Sequence, residues 1–322
     1  TISAIYASAS LISGTIAALP LHIYETSGDA RQRVDDPIWD ILNIEMAPAW
    51  SAHVAWEYFI LSLLLHGNFY GVIQRTGGGF REPAITSIEP WAPDLVDVRR
   101  EPVTGRLVYI VYPRPDMPPS GPRVIDQSDM IHVPGFGFDG CKGYSPLRMA
   151  LRDAGAVARA TQQYSRAFFE NGARPDFVLS TDTALTKEQV ESLREQWNET
   201  HMGPGRAFRP AVMGGGLKPL PISLPAEDVQ LITTRQFQVE EIARIMGVPP
   251  FMIGHTEKTT SFGSGIEQMG TGFVIYTLQR HLSKIQTEIR RKCFLGTNRF
   301  CEFNTAALER ADIQSQYSAF RI

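Results

Sequence analysis

The sequence is poor in the residues around which secreted scaffolds, metalloproteins and nucleotide-driven enzymes are built. Cysteine occurs three times in 322 residues, as Cys141, Cys293 and Cys301. The number is odd, the spacing is wide, and no C-x-x-C pair or Cys/His cluster at zinc spacing exists. That excludes a disulfide framework or a structural zinc site and leaves reduced thiols. The seven histidines (22, 53, 66, 132, 201, 255 and 281) are dispersed. No G-x-x-x-x-G-K-[ST] loop is present. The glycine runs 77–79 and 214–216 lack the strand-to-helix setting of a phosphate cradle and read as turns, so no cofactor is expected. A basic surplus is also missing, the formal net charge being −3. Tight DNA binders draw their affinity from neutralising phosphates, so that class is disfavoured, whereas a duct past which DNA slides is not. No apolar run reaches the roughly 18 residues of a spanning helix. Residues 2–19 are apolar but lack the positive leading segment of a signal peptide.

What remains is the composition of an ordinary folded protein, 43% apolar and 20% charged, long enough for two or three domains. The chain opens at Thr1 rather than Met and closes within helical-looking sequence, which reads as a chain cut at both ends. Ile2, Ile5, Ala9, Ile12, Ile16 and Leu19 recur every three or four positions with Ser and Thr between them, predicting an amphipathic helix over 2–19. A strand follows at 20–25. A helix over 51–66 is capped by Ser51 and closed by Gly67-Asn68, with Val54, Phe59, Leu61, Leu64 and Leu65 as its apolar content. Strands are expected at 69–74, 85–89, 95–99, 106–112 and 129–133, with a Pro-rich loop at 113–122. The first 140 residues thus read as an α+β domain.

The pattern changes at Gly143-Tyr144-Ser145-Pro146, where Ser145 suits an N-cap and Pro146 the first helical position. A helix runs from there to Asn171, about 26 residues or roughly 39 Å long. Arg148, Arg152, Arg159 and Arg166 fall on one face of it, a basic stripe suited to DNA, to a neighbouring helix or to solvent. Residues 173–222 form a small α/β insertion. It has a strand at 177–180, a capping box at Thr186-Lys187-Glu188-Gln189, a helix to about 201, and a hairpin of 211–213 with 217–222. A second long helix runs from 225 or 226 to 246 and stops at Gly247-Val248-Pro249-Pro250. The stretch 254–265 is a polar, Gly-rich loop. A third long helix covers about 265–295, with Ile275, Leu278, Leu282, Ile285 and Ile289 as its stripe, and 298–303 is a strand.

Catalytic constellations are weak. Gly143–Leu147 resembles the start of a nucleophile elbow without its final glycine. His132, in the strand Met130–Val133, reads as a packed or hydrogen-bonded core residue. Glu240-Glu241 point apart on a helix and make no catalytic dyad. A hydrolase or peptidase on an α+β scaffold, hung on Ser145 or His132, is the alternative from another class.

Five segments in order resemble the portal proteins of tailed phages, in the branch found in siphophages and prophages. They are Ile12–Tyr24, Leu63–Tyr70 (LLLHGNFY), Asp129–His132 with Gly143–Pro146, Phe168–Ala173 (FFENGA) and Val239–Pro250 (VEEIARIMGVPP). Met246 stands where the family often has an aromatic. The resemblance implies a portal fold, α+β, in a ring oligomer usually of twelve subunits, and no enzyme; another head–tail connector protein, such as an adaptor, is the third reading. It implies a wing over 1–144, stem helix 1 over 145–172, a clip over 173–222 and stem helix 2 over 223–247. A tunnel loop over 248–264, the long tunnel helix and wing strand over 265–304, and the start of a crown over 305–322 follow. The implied partners are further copies of the chain, the large terminase, head-completion or adaptor proteins, the capsid protein and double-stranded DNA held weakly and without sequence preference. No membrane is implied; the place is the capsid vertex of the virion, and the host cytoplasm during assembly. The implied DNA-facing tunnel residues are His255, Lys258, Thr259 and Thr260. Glu188, Glu191, Arg194 and Trp197 of the clip are implied to dock the terminase.

Overall fold

The computed structural model describes residues 3–28, 30–76, 84–115, 121–146, 177–180, 186–192, 218–221, 237–255 and 270–306, with residues 149, 156, 159, 160, 163, 195 and 308 besides. The chain divides into two units: residues 1–154 with 239–322, and residues 155–238.

The first unit opens with helix α1 (Ser3–Ala17), which packs on α3 (Ala52–His66). Ile12 and Ile16 lie fully inside, as the spacing predicts, but so do Ser8 and Ser13. These small side chains were expected on the polar side; on the packing face they allow the two helices to approach closely. α3 starts at Ser51, whose hydroxyl accepts from Val54 N, and ends at Gly67 in the left-handed region (φ 76). Its buried face is Ala55, Trp56, Phe59, Ile60, Leu63 and Leu64, while Val54 is exposed. Strand β1 (Leu21–Ser27) lies between β2 (Ala30–Arg33) and a strand from the far end of the chain, Arg299–Phe303, with Leu21 opposite Phe303. Helix α2 (Ile38–Asn43) and the small pair β3 (Glu45–Ala47) and β4 (Trp50–Ser51) precede α3. The sequence pattern marks none of β2, α2, β3 or β4, because each is too short to show a period.

A second sheet has the order β10-β5-β6, with β5 Asn68–Arg75, β6 Ile85–Trp91 and β10 Met130–Pro134. The first six residues of β5 are all buried. Its alternate residues serve two cores: Phe69 and Ile73 join the main core of α1, α3 and β1, while Tyr70 and Val72 join a smaller one. The smaller core is closed by a third sheet, β7 (Val96–Arg100), β8 (Leu107–Val111) and β9 (Arg123–Asp126), with Val96, Val98, Tyr109 and Val111 pointing inward. β9 falls just after the segment read as a Pro-rich loop.

The helical residues 237–246 (α4) end at Met246, followed by Gly247 at φ 74 and a short 3-10 turn, Pro250–Ile253. The long helix is continuous from 270, but Phe273–Leu278 is a π-helical segment before the regular α5 (Gln279–Cys293). This overturns one expected stripe position. Val274, Leu278, Leu282, Ile285 and Ile289 are buried, whereas Ile275 is 55% exposed. A wider turn rotates less per residue, so Ile275 swings off the face that a regular helix would give it. The strand Arg299–Phe303 (β13) follows.

In the second unit, β11 (Phe177–Ser180) pairs antiparallel with β12 (Lys218–Pro221). The expected partner of β12, 211–213, lies outside the described residues. The capping box is reciprocal: Thr186 N donates to Gln189 Oε1 (3.0 Å), and Gln189 N to Thr186 Oγ1 (3.4 Å).

Candidate functional site: the joints around the long helix

Two of the segments that carry the family resemblance, Leu63–Tyr70 and Gly143–Pro146, meet in space. The C-cap turn of α3 places Gly67 against the loop 135–144. Gly135 N donates to Gly67 O (2.8 Å). A Cβ on Gly67 would lie 2.1 Å from Tyr144 O, and one on Gly143 would lie 2.5 Å from both Gly135 N and Gly67 O. Only glycine lets these backbones cross. Asn68, 5% exposed, bridges the crossing. Its Oδ1 accepts from Gly143 N (2.7 Å), and its Nδ2 donates to Gly143 O (2.9 Å). The Ser145 hydroxyl donates to Leu65 O (2.7 Å), and Met149 N donates to Ser145 O (3.1 Å), the first bond of a helical turn. Ser145 is thereby tied into the start of a helix and the end of α3, not poised as a nucleophile.

His132 is buried beside this crossing, stacked on Tyr70 with ring centroids 4.6 Å apart. Its Nε2 faces Asn68 Oδ1 (3.1 Å) and its Nδ1 faces the Tyr109 hydroxyl (3.1 Å). Asn68 Oδ1 can only accept, so Nε2 carries the proton and Nδ1 accepts from Tyr109. Burial, reinforced by Lys292, Arg291 and Lys142, pushes the imidazole down to about 3. Burial likewise pushes the Tyr109 phenol up. Both nitrogens of a neutral ring are satisfied, which is the arrangement of a core histidine rather than of a general base seeking a substrate.

From the other side, α5 contributes two charged residues on its buried face. Glu288 Oε1 accepts from His132 N (3.4 Å) and lies 3.6 Å from Lys292 Nζ, while Arg291 Nε lies 3.3 Å from Glu288 Oε2. Lys292 also donates to Gln127 O, and Arg75 joins Asp129 (2.9 Å) and Lys292 O (3.2 Å). Burial pushes the Glu288 carboxyl up and the Lys292 ammonium down, each opposed by the charge of the other. Sequence reading passed over this pair. The available signal was the period itself, since 285, 288, 289 and 292 share one helix face.

The third joint holds the end of α4. Thr277 donates to Gly247 O and Arg280 to Met246 O (3.4 Å), so a hydroxyl and a cation satisfy the terminal carbonyls. An open groove of about 310 Å3 runs here, lined by Arg244, Val248, Pro249, Phe273, Tyr276 and Thr277. Lys284 donates to Pro134 O (3.1 Å) and Gly135 O (2.9 Å), pinning α5 to the end of β10. His255 closes the described part of the expected tunnel loop. Its Nε2 lies 3.4 Å from Glu240 Oε1 and its side chain is 14% exposed. Within its own chain, His255 thus turns toward Glu240.

Lys258, Thr259 and Thr260 lie outside the described residues, as do Arg148, Arg152 and Arg166 of the stripe and Arg194 and Trp197 of the insertion. Arg159, Glu188 and Glu191 are described and exposed. Among the described residues no group of His, Cys, Asp and Glu is arranged to hold a metal ion, and no helix is long and apolar enough to cross a membrane.

The family model of phage portal proteins matches residues 3–322. The chain is similar to the portal protein of Enterobacteria phage HK97, 35% identical over 294 residues that cover 90% of this chain and 66% of that protein. It is similar to the probable portal protein of Streptomyces phage phiC31, 33% identical over 320 residues that cover 96% of this chain and 68% of that one. It spans about two thirds of the length of these curated relatives. Among solved structures it is similar to a chain in the neck of gene transfer agent particles. The empty neck, computed with C6 symmetry, gives a TM-score of 0.70 at 22% identity, covering 98% of this chain and 86% of that one. The native neck, computed with C12 symmetry, gives 0.67 at 23%, covering 98% and 85%. A polar knot built on the same short segments, and a match along almost the whole chain, agree on one conclusion: the chain belongs to the phage portal protein family.

Proposed function

We propose that the chain is one subunit of a closed ring at a capsid vertex, through which double-stranded DNA is packaged, retained and ejected. The observation that carries this reading is the path of the chain. A unit of residues 155–238 is inserted between the two halves of another, and the pairing of β1 with β13 ties those halves together. A wing interrupted by stem and clip has that order. On this reading 1–144 and 265–304 are wing, 145–172 and 223–247 stem, 173–222 clip, 248–264 tunnel loop, and 305–322 the start of the crown. The similar chains in cyclic particle necks support a ring.

The clip, through Glu188, Glu191, Arg194 and Trp197, docks the large terminase during packaging and head-completion proteins afterwards, and the wing meets the capsid protein. The ring assembles in the host cytoplasm and ends in the virion. Lys258, Thr259 and Thr260 approach DNA, and His255, held by Glu240, anchors the base of their loop. The Arg148–Arg166 stripe meets DNA or a neighbouring subunit. A near-neutral chain suits this duty, since weak, sequence-independent contacts let DNA move. The protein turns over no ATP of its own; the terminase supplies the work.

Electron microscopy of the full-length protein tests the reading. Rings with a central hole are expected; a persistent monomer or a compact dimer refutes it. Lys258→Glu is expected to impair packaging or DNA retention while leaving rings intact, and unchanged packaging and retention would remove Lys258 from the DNA path.

A further inference from the structure

We propose that neighbouring subunits meet through a basic face of α5 on one copy and an acidic face of α2, β3 and α3 on the next. This rests on the ring reading above. A ring closed by rotation needs a heterologous interface, in which two different patches of one chain fit each other. The first unit carries two such patches of opposite sign.

The outward face of α5 carries Arg280, Lys284, Arg290 and Arg291, all exposed. The only acid in the helix, Glu288, is turned inward against Lys292. The second patch lies in a stretch without a single Lys or Arg between Arg33 and Arg75. Asp40 and Glu45 are exposed there and Glu57 is half-buried; among the described residues, the ion pairs include none of the three. Ile44, between α2 and β3, is 58% exposed, and Val54, in the first turn of α3, is 49% exposed, so the same elements also offer apolar surface. α5 buries its apolar stripe on β13 and β10, whereas α2 and α3 pack on each other and on β3 and β6. Both patches therefore face outward from elements that share one core. Opposed charges on two faces of one chain select head-to-tail contact and disfavour pairing of like faces, which would set basic against basic. The occupant of each face is thus a second copy of the chain.

The test uses the full-length protein, with particle mass measured by mass photometry at low and high salt. Ser283→Glu, Thr287→Glu and Arg290→Glu, three exposed positions of α5, make both faces acidic while leaving Arg280, Lys284 and the Arg291–Glu288 pair untouched. Asp40→Lys with Glu45→Lys makes both basic. Each variant alone is expected to melt like wild type and to need at least a tenfold higher concentration to form rings. Mixed in equal amounts they should form rings again, with the two variants alternating. All five changes in one chain should give rings that exclude wild-type subunits. Wild-type rings should loosen as salt rises. If either variant forms rings at the wild-type concentration, or if the two well-folded variants mixed together form none, the assignment of the faces is overturned. If wild type itself forms no ring, the failure lies in the ring reading and not in the choice of faces.

Discussion

Replacing Asn68 by alanine removes the fork at the backbone crossing. The native side chain satisfies Gly143 N, Gly143 O and the His132 Nε2 proton at 2.7, 2.9 and 3.1 Å. All three lie in a region from which water is excluded, His132 being 5% exposed. Each buried group left without a partner costs about 1–3 kcal/mol. A water molecule entering the space of the lost side chain can recover part of this, which leaves an expected loss of about 3–5 kcal/mol. For a unit of this size that corresponds to a melting point lower by roughly 10 °C. Urea unfolding followed by tryptophan fluorescence measures it: the midpoint should fall with little change in slope. Trp91 belongs to the adjoining small core and reports on the right region. A loss below about 1 kcal/mol would refute the view that Asn68 holds the crossing, since that is the size of one exchangeable hydrogen bond.

Gly143→Ala should be harsher than a surface Gly→Ala, because the new Cβ meets the backbone of Gly135 and Gly67 at 2.5 Å; loss of soluble, folded protein on expression is the expected outcome. The His132 imidazole is held down to about 3 from an ordinary 6.5. The unfolded chain therefore binds the proton first, and stability falls as pH drops below 6.5, by about 1.4 kcal/mol per pH unit from this group until the folded value is reached. His132→Gln should flatten that part of the stability–pH curve measured between pH 6.5 and 4. Lys292→Met strands the Glu288 carboxylate and should cost about 3–5 kcal/mol, whereas Lys292→Met with Glu288→Gln should cost clearly less; a double-mutant cycle in urea measures the difference.

Much of the fold was legible in the sequence where local chemistry decides it. The Ser51 cap, the Gly67 stop, the capping box at Thr186–Gln189 and the proline stop after Met246 are each set within a few residues, so no distant partner has to be known. The longer strands of the first domain, β1, β5 to β8 and β10, were legible for the same reason, and so was the core character of His132. The residues proposed to meet DNA or the terminase rest on resemblance alone. Nothing in the local pattern of Lys258 or Glu188 distinguishes a docking residue from solvated surface.

By itself, then, the sequence determined the longer helices and strands among the described residues, several of their ends, and membership of a family through short segments kept in order. Tertiary structure alone decided which of those segments meet. The pairing of β1 with β13 joins positions at opposite ends of the chain, and no period in either strand names its partner. The crossing of Gly67 over Gly143 explains why both motifs contain glycine, but each motif alone reads only as a turn. Glu288 and Lys292 look like one more surface pair on a charged helix until Gln127 and His132 are brought against them, and His255 looks free until the turn at Pro250–Ile253 swings it onto Glu240. The reason is the same in each case: a local pattern fixes backbone dihedrals, whereas burial and pairing depend on what the rest of the chain sets alongside.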